Sequence, residues 1–329
     1  MHAGRHYSFL EVFRWTWRQT LVYLAIASLP ASLCMVGVPL PSLPWQPVAV
    51  MGTAVAFMTG FRSNAAYGRL WEARQIWGGI LNVSRAFAIH LREFAGPAQA
   101  ARVRASVLRH VAWLTALRYQ LRQKRDWESA VVAADRRYRE AFYQIPEDGL
   151  DVEGELKQRL DETEWQSVQQ CRNRTVVLLS LHAAELQRLA DLGVIDAYRH
   201  VELARLVTEM VNLQGKAERI KNFPYPRQFA TMNRVFVWLF IALLPFAIAA
   251  EMQRSAPEWI LMTIPLATMI AWVFHTMDRI GTTSENPFEG SPNDVPISAM
   301  CRTIEIDMLE LIGDVDLPAP IGPRRQILM

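Results

Sequence analysis

The sequence predicts an all-α membrane protein, on three observations. Four segments carry no formal charge over their whole length, no stretch alternates apolar and polar residues like a half-buried strand, and arginines gather on one side of the apolar segments. With 51% hydrophobic residues in 329, the apolar excess is high for a soluble chain and is concentrated in those four runs.

Residues 1–20 are expected to form an N-terminal cytoplasmic helix carrying Arg5, Arg14 and Arg18. The first run, "LVYLAIASLPASLCMVGVPL" at 21–40, has the length that crosses hydrocarbon. Its "LPASLC" resembles a lipoprotein cleavage site, but Leu33 is bulky before Cys34 and an aromatic-rich segment precedes the run, so a retained helix is expected. The second run, "PVAVMGTAVAFMTGF" at 47–61, is short and ends abruptly at Arg62. The third and fourth, 235–250 and 259–274, need their flanks to span, and Trp238, Trp259 and Trp272 sit where interfacial aromatics belong. Transmembrane helices 1 and 2 are thus placed within 21–61, and helices 3 and 4 within 229–277.

Orientation follows from the basic residues. Arg5, Arg14 and Arg18 precede the first run and Arg62, Arg69, Arg74 and Arg85 follow the second, whereas the connection 41–46, "PSLPWQ", is uncharged. Both termini and the region 62–228 are expected in the cytoplasm, with 41–46 and 251–258 outside. Cys34, Cys171 and Cys301 have neither disulfide-framework nor zinc-site spacing.

The cytoplasmic region 62–228 reads as helical. Residues 91–140 hold ten Arg and one Lys against five acids, and 147–164 hold eight acids against two bases, so the two blocks are expected to pair. Apolar residues at helical spacing, Val107, Val111, Leu114 and Leu121, make the arginine-dense stretch a helix with one solvated face; nucleic-acid binding is not expected. A surface turn is expected at 144–155, and a helical block from Trp165 to Asn222. Within the segment 278–329 an amphipathic helix places Ile297, Cys301, Ile304, Met308 and Leu311 on one face, and "LPAPIGPRR" is expected to be extended.

There is no phosphate loop, dinucleotide glycine pattern or nucleophile elbow. His182 and Glu185 are one turn apart, but no further inward ligands accompany them; a solvated or hydrogen-bonded histidine is the expectation, with no metal, no cofactor and no enzymatic activity. Thr53, Phe57 and Phe61, spaced i, i+4, i+8, drift only about 40° per step and form a near-axial stripe. By spacing alone this stripe suits packing on a neighbouring helix, with Gly52 and Gly60 allowing close approach.

The stretch "GFRSNAAYGRLWEARQIWGGILNVSRAFA" resembles the second-helix signature of bestrophins, particularly the shorter bacterial ones. The matching residues are Gly60, Phe61, Arg62, Asn64, Tyr67, Arg69, Trp71, Glu72, Ala73, Arg74, Trp77 and Gly78, with Ser63 a departure. "HYSFLEVFRWTW", "AERIKNFPYPRQF" and "ENPFEGSPNDVPISAMCRTIEIDMLEL" resemble further family blocks in the same order, and 95–190 is the weakest part.

The resemblance implies a homopentameric ion channel in the bacterial inner membrane: four membrane helices per subunit, a helical cytoplasmic body, and an axial pore lined by the second helix. Thr53, Phe57 and Phe61 then form the hydrophobic neck, Thr53 departing from the usual aliphatic residue. Arg62 becomes a pore-exit charge whose ring would concentrate anions such as chloride if its side chains pointed inward. A second, cytoplasmic constriction maps to Tyr198, with Ile195 and Val201 as alternatives. The partners implied are four further copies, the lipid bilayer and permeant small ions. Cation selectivity within the same family, and a membrane scaffold or enzyme outside it, are the competing expectations.

In animal bestrophins the loop after "ENPF" holds calcium through consecutive acids. Here Ser291, Pro292 and Asn293 replace most of that run. Glu285, Asn286, Glu289, Asn293 and Asp294 are therefore expected to cap the helix near Pro296 in place of binding calcium.

Overall fold

The computed structural model describes residues 1–38, 43–129, 136, 139–140 and 142–329. The start of the expected external connection 41–46, and part of the arginine-dense stretch 91–140, lie outside the described residues. No β-strand occurs among the described residues. The ten α-helices described are α1 (Phe9–Met35), α2 (Trp45–Ala95), α3 (Ala100–Arg122), α4 (Val152–Lys157), α5 (Glu162–Gln169), α6 (Arg174–Asp191), α7 (Ala197–Asn222), α8 (Arg227–Ser255), α9 (Thr263–Thr283) and α10 (Ile297–Leu311).

The chain divides into two compact units. One comprises Gly4–Arg69 and Pro224–Glu285; the other comprises Met1–Ala3, Leu70–Phe223 and Asn286–Met329. The chain passes between the units at 69/70, 223/224 and 285/286, so the first unit reaches past each apolar run. Charged side chains beyond the apolar runs, Arg62 and Asp278 among them, pack inside the first unit and extend it.

In that unit α1 packs on α8 and α9. Helix α1 does not break at residue 20. It starts at a capping box in which Ser8 Oγ accepts the Glu11 N–H at 3.2 Å and Glu11 accepts the Ser8 N–H at 2.7 Å, and it runs unbroken into the apolar residues. Tyr23 and Ala27 of α1, Val48 and Val55 of α2, Phe240 and Leu244 of α8, and Ala267 and Ala271 of α9 share one core. Gly52 permits the α2–α8 contact, because a Cβ there would stand 2.8 Å from the Phe240 ring; a Cβ at Gly60 would meet nothing within 4 Å among the described residues of its own chain.

Two described helical segments, Arg227–Ser255 and Pro257–Thr283, are long and apolar enough to cross a membrane by length and composition. Helices α1 and α2 fall short by that measure. The apolar part of α1 follows Arg14 and Arg18, and the charge-free run of α2 before Arg62, 47–61, rises only about 22 Å.

The larger unit is built around α3, which packs on α6, α7 and α10. Trp77, Ile80 and Phe87 of α2 join Trp113 and Leu117 of α3, Leu178 and Leu186 of α6, Met210 of α7, and Ile304 and Met308 of α10. Each fully buried aliphatic side chain contributes roughly 1.5–3 kcal/mol relative to exposure. The single polar atom of Trp113 is satisfied by Gln214 at 2.9 Å.

The expected pairing of charge blocks is present. Arg109 contacts Glu164 at 2.6 Å, and Arg118 contacts Glu155 at 2.9 Å and Glu147 at 3.2 Å. The expected turn at 144–155 contains a 3-10 turn at Pro146–Asp148 and the start of α4, capped by Asp151. Residues 317–323 form neither helix nor turn, and the tail then closes in a reverse turn at 324–327. Arg324 and Ile327 bond each other, and Ile327 and Met329 are buried with Tyr143 and Ile145.

Candidate pore-lining helix

The charge-free part of α2 has two unlike faces. Val48, Val55, Thr59, Arg62 and Ala66 are buried, while Thr53, Phe57 and Phe61 are exposed, the two phenyl rings at 65% and 70%. The rings stack with centroids 6.5 Å apart, and Thr53 returns its hydroxyl to the Ala49 carbonyl at 3.0 Å. The stripe therefore does not pack against another helix of its own subunit. Asn64, three residues after Phe61, continues the exposed face with an uncharged amide.

Arg62 is elsewhere. It follows Phe61 by one residue, hence about 100° around the helix, and its side chain is 3% exposed. Its guanidinium bonds Asp278 of α9 at 2.8 Å and Glu285 at 2.9 Å. Asp278 also accepts from Asn233 of α8 at 2.6 Å, and Asn233 accepts the Thr59 hydroxyl at 3.3 Å. Glu285 further receives Arg227, and its carbonyl accepts from Arg69 at 2.9 Å. The expected inward ring of Arg62 charges is corrected: the cation is spent on two carboxylates within its own subunit. Buried, forked pairing of this kind fixes the rotation of α2 about its axis. Sequence reading singled out neither Asp278, Asn233 nor Arg227.

In the other unit, Tyr198 is the second residue of α7 and is 89% exposed, just after Asp196, which caps the helix by accepting the Arg199 N–H at 2.9 Å. Val201 is half exposed, whereas Ile195 is in the core at 3% and drops out as an alternative constriction.

The loop after Phe288 is wired to protein donors. Asp294 accepts the N–H groups of Gly290 at 2.6 Å and Ser291 at 2.9 Å, together with the Ser291 hydroxyl, and Arg122 stands 3.6 Å away. Glu289 accepts the Ser129 N–H at 2.8 Å and its hydroxyl. Burial, then the nearby Asp294, push the Glu289 carboxyl up to about 8. With these oxygens committed and a guanidinium beside them, the loop does not fit a calcium ion. The capping expectation is also corrected. Helix α10 has Pro296 at its N-cap position and no side-chain cap, and Asp294 closes the preceding turn.

His182 and Glu185 do not act together. Glu185 pairs with Arg102 at 3.0 Å. His182 is neither solvated nor hydrogen-bonded among the described residues; its ring lies edge-on to Phe87 at 4.9 Å and 5.6 Å from His110. His110 Nε2 is 2.8 Å from Ser84 Oγ. Burial lowers the His110 pKa to about 3, and burial with the neighbouring His110 and Arg109 holds His182 well below the ordinary range. The unfolded chain takes these protons near pH 6.5 while the folded chain refuses them, so the histidines' contribution to stability falls as pH drops below 6.5, whereas Glu289, whose carboxyl keeps its proton to higher pH in the folded chain, opposes it over the same range. The expected loss is about 1.4 kcal/mol per pH unit for each histidine. Thermal unfolding of the full chain in detergent at pH 7 and pH 5 measures it. His182→Leu should lose less stability, or gain more, than the wild type between pH 7 and pH 5, and an identical pH dependence in the two proteins would refute the histidine contribution.

Known proteins share both sequence and fold with this chain. The family model described as bacterial/fungal bestrophin protein matches residues 10–310. The voltage-dependent anion channel-forming protein YneE of Salmonella typhi is 28% identical over 281 residues, 85% of this chain and 81% of that protein. YneE of Escherichia coli K12 is 29% identical over 282 residues, 85% and 80% of the two chains. A crystal structure of a bacterial bestrophin homologue from Klebsiella pneumoniae superposes with a TM-score of 0.74 at 25% identity, covering 92% of this chain and 98% of that one. A match over most of the length, joined to a common helical fold, means that this chain belongs to the bacterial and fungal bestrophin family.

Proposed function

We propose that the protein is a homopentameric anion channel of the bacterial inner membrane. Residues 21–61 and 229–277 supply four spans per subunit, and 62–228 and both termini lie in the cytoplasm. The exposed stripe of Thr53, Phe57 and Phe61, on the face of α2 opposite its buried one, carries this reading: an aromatic row left open by the subunit suits a shared axis between copies. Around that axis the short apolar run of α2 need not match the full hydrocarbon thickness, because its open face meets water and neighbouring subunits. Tyr198 would narrow the same path in the cytoplasm.

Anion selectivity is supported by the channel-forming relatives and no longer by Arg62, which is neutralised within its subunit. That neutralisation removes one argument for anions over cations, and one measurement separates the two selectivities. Purified protein in a planar bilayer under a KCl gradient should give a reversal potential of the sign set by chloride. The potassium sign would overturn anion selectivity, and no current would overturn the channel reading. Native mass measurement should find five copies of the 37.5 kDa chain.

A further inference from the structure

The larger unit contains a cavity of about 730 Å³ at the meeting of α3, α4 and the start of α6. Arg125, Arg172 and Arg174 line it, and no Asp or Glu is among its described lining residues. Across the chain as a whole Arg and Lys are nearly matched by acids, 35 against 32, so three arginines without a lining acid is a local concentration.

Their pairing leaves charge to spare. Arg174 bonds Glu153 at 2.7 Å. Arg125 bonds only the neutral Asn222 amide oxygen at 3.1 Å through its guanidinium, and Arg172 has no acidic partner among the described residues. The 18-residue helix α6 opens at this wall, with Asn173 as its cap, so the positive end of its dipole adds to the same field. Val152 and Tyr119 also line the cavity; the Tyr119 hydroxyl is held by Glu155 at 2.7 Å, and the Arg118 guanidinium lies over the ring, 5.1 Å from its centroid.

We propose that this cavity binds a small organic anion carrying at least two negative charges and a planar apolar part, of the size and chemistry of a nucleoside diphosphate. Guanidinium groups match phosphate oxygens in planar, bidentate geometry. The volume lies within the roughly 300–1,000 Å³ of small-molecule sites and leaves ample room beyond a phosphate group. Arg125 and Arg172 hold the anionic end, and Tyr119 faces the planar part. The site does not rest on the pore reading, because it is formed wholly within the larger unit.

Cys171, on the cavity wall and partly accessible, is a built-in reporter; Cys301 is buried and Cys34 lies in α1. The test is alkylation of Cys171 by N-ethylmaleimide in the full-length protein in detergent, read by peptide mass, with ADP as probe and adenosine as its uncharged control at fixed ionic strength. ADP at 1 mM should slow alkylation about fivefold or more while adenosine leaves it unchanged, and Arg172→Gln or Arg125→Gln should raise the ADP concentration required by about tenfold. Arg172 is exposed, so its variant tests binding without disturbing a packed core. Absence of ADP protection, equal protection by adenosine, or protection undiminished in both variants would overturn the site. Equal protection by inorganic pyrophosphate would overturn the role of the planar part. None of these readouts depends on ion flux, so failure here is distinct from failure of the channel.

Discussion

Arg62→Ala is expected to lower folding stability by about 3–5 kcal/mol, because it strands Asp278 and Glu285 without their shared cation in a buried setting. A second variant guards against simple failure to fold. Arg62→Ala combined with Asp278→Asn removes one charge of each sign and should recover part of the loss. Thermal unfolding in detergent measures both, and coupling between the two substitutions is the quantity to extract. Relative anion and cation permeability should be unchanged in whichever variant still conducts. A stable Arg62→Ala protein with altered selectivity would return Arg62 to the pore.

Phe61→Ala is expected to raise ion flux by roughly tenfold, which corresponds to about 1.4 kcal/mol off the permeation barrier. Phe57 and Phe61 stack on the open face of α2, so five copies would surround the axis with rings that exclude water. Shortening either widens the passage and eases its wetting. Phe57→Ala should act in the same direction. Thr53→Ala should change flux little, because the Thr53 hydroxyl already bonds its own helix and the side chain is small. Liposome flux reports all three. If neither phenylalanine variant alters flux, the barrier lies elsewhere and Tyr198→Ala is the next measurement.

How much of this was legible in the sequence varied with distance along the chain. Helical periodicity is local, so the buried face of α10 could be read from spacing, and so could the alignment of Thr53, Phe57 and Phe61 on α2, though spacing alone assigned that stripe to packing and not to an open face. Charge blocks are nearly local, and the pairing of 91–140 with 147–164 followed from their composition. The role of Arg62 was not legible. Its partners lie 216 and 223 residues away, and the sequence shows an arginine after an apolar run without showing which way it turns. The rotation is decided by α8 and α9, whose Asn233 and Asp278 look like ordinary polar residues at helix ends. His182 misled for a related reason: its burial comes from α2 and α3, which no pattern within α6 reveals.

The remoteness of those partners also sets an order of events during synthesis. At roughly 5–20 residues per second, Asp278 and Glu285 leave the ribosome about 10–45 s after Arg62 does. Through that interval the first two apolar segments are already made while the cation at the end of the second has no carboxylate to meet. An arginine in that position is costly to leave at a bilayer boundary without water or a partner. The rotation that these ion pairs fix in α2 is therefore expected to be set only after the last apolar segment is made, and a chain truncated before residue 278 is expected to lack it.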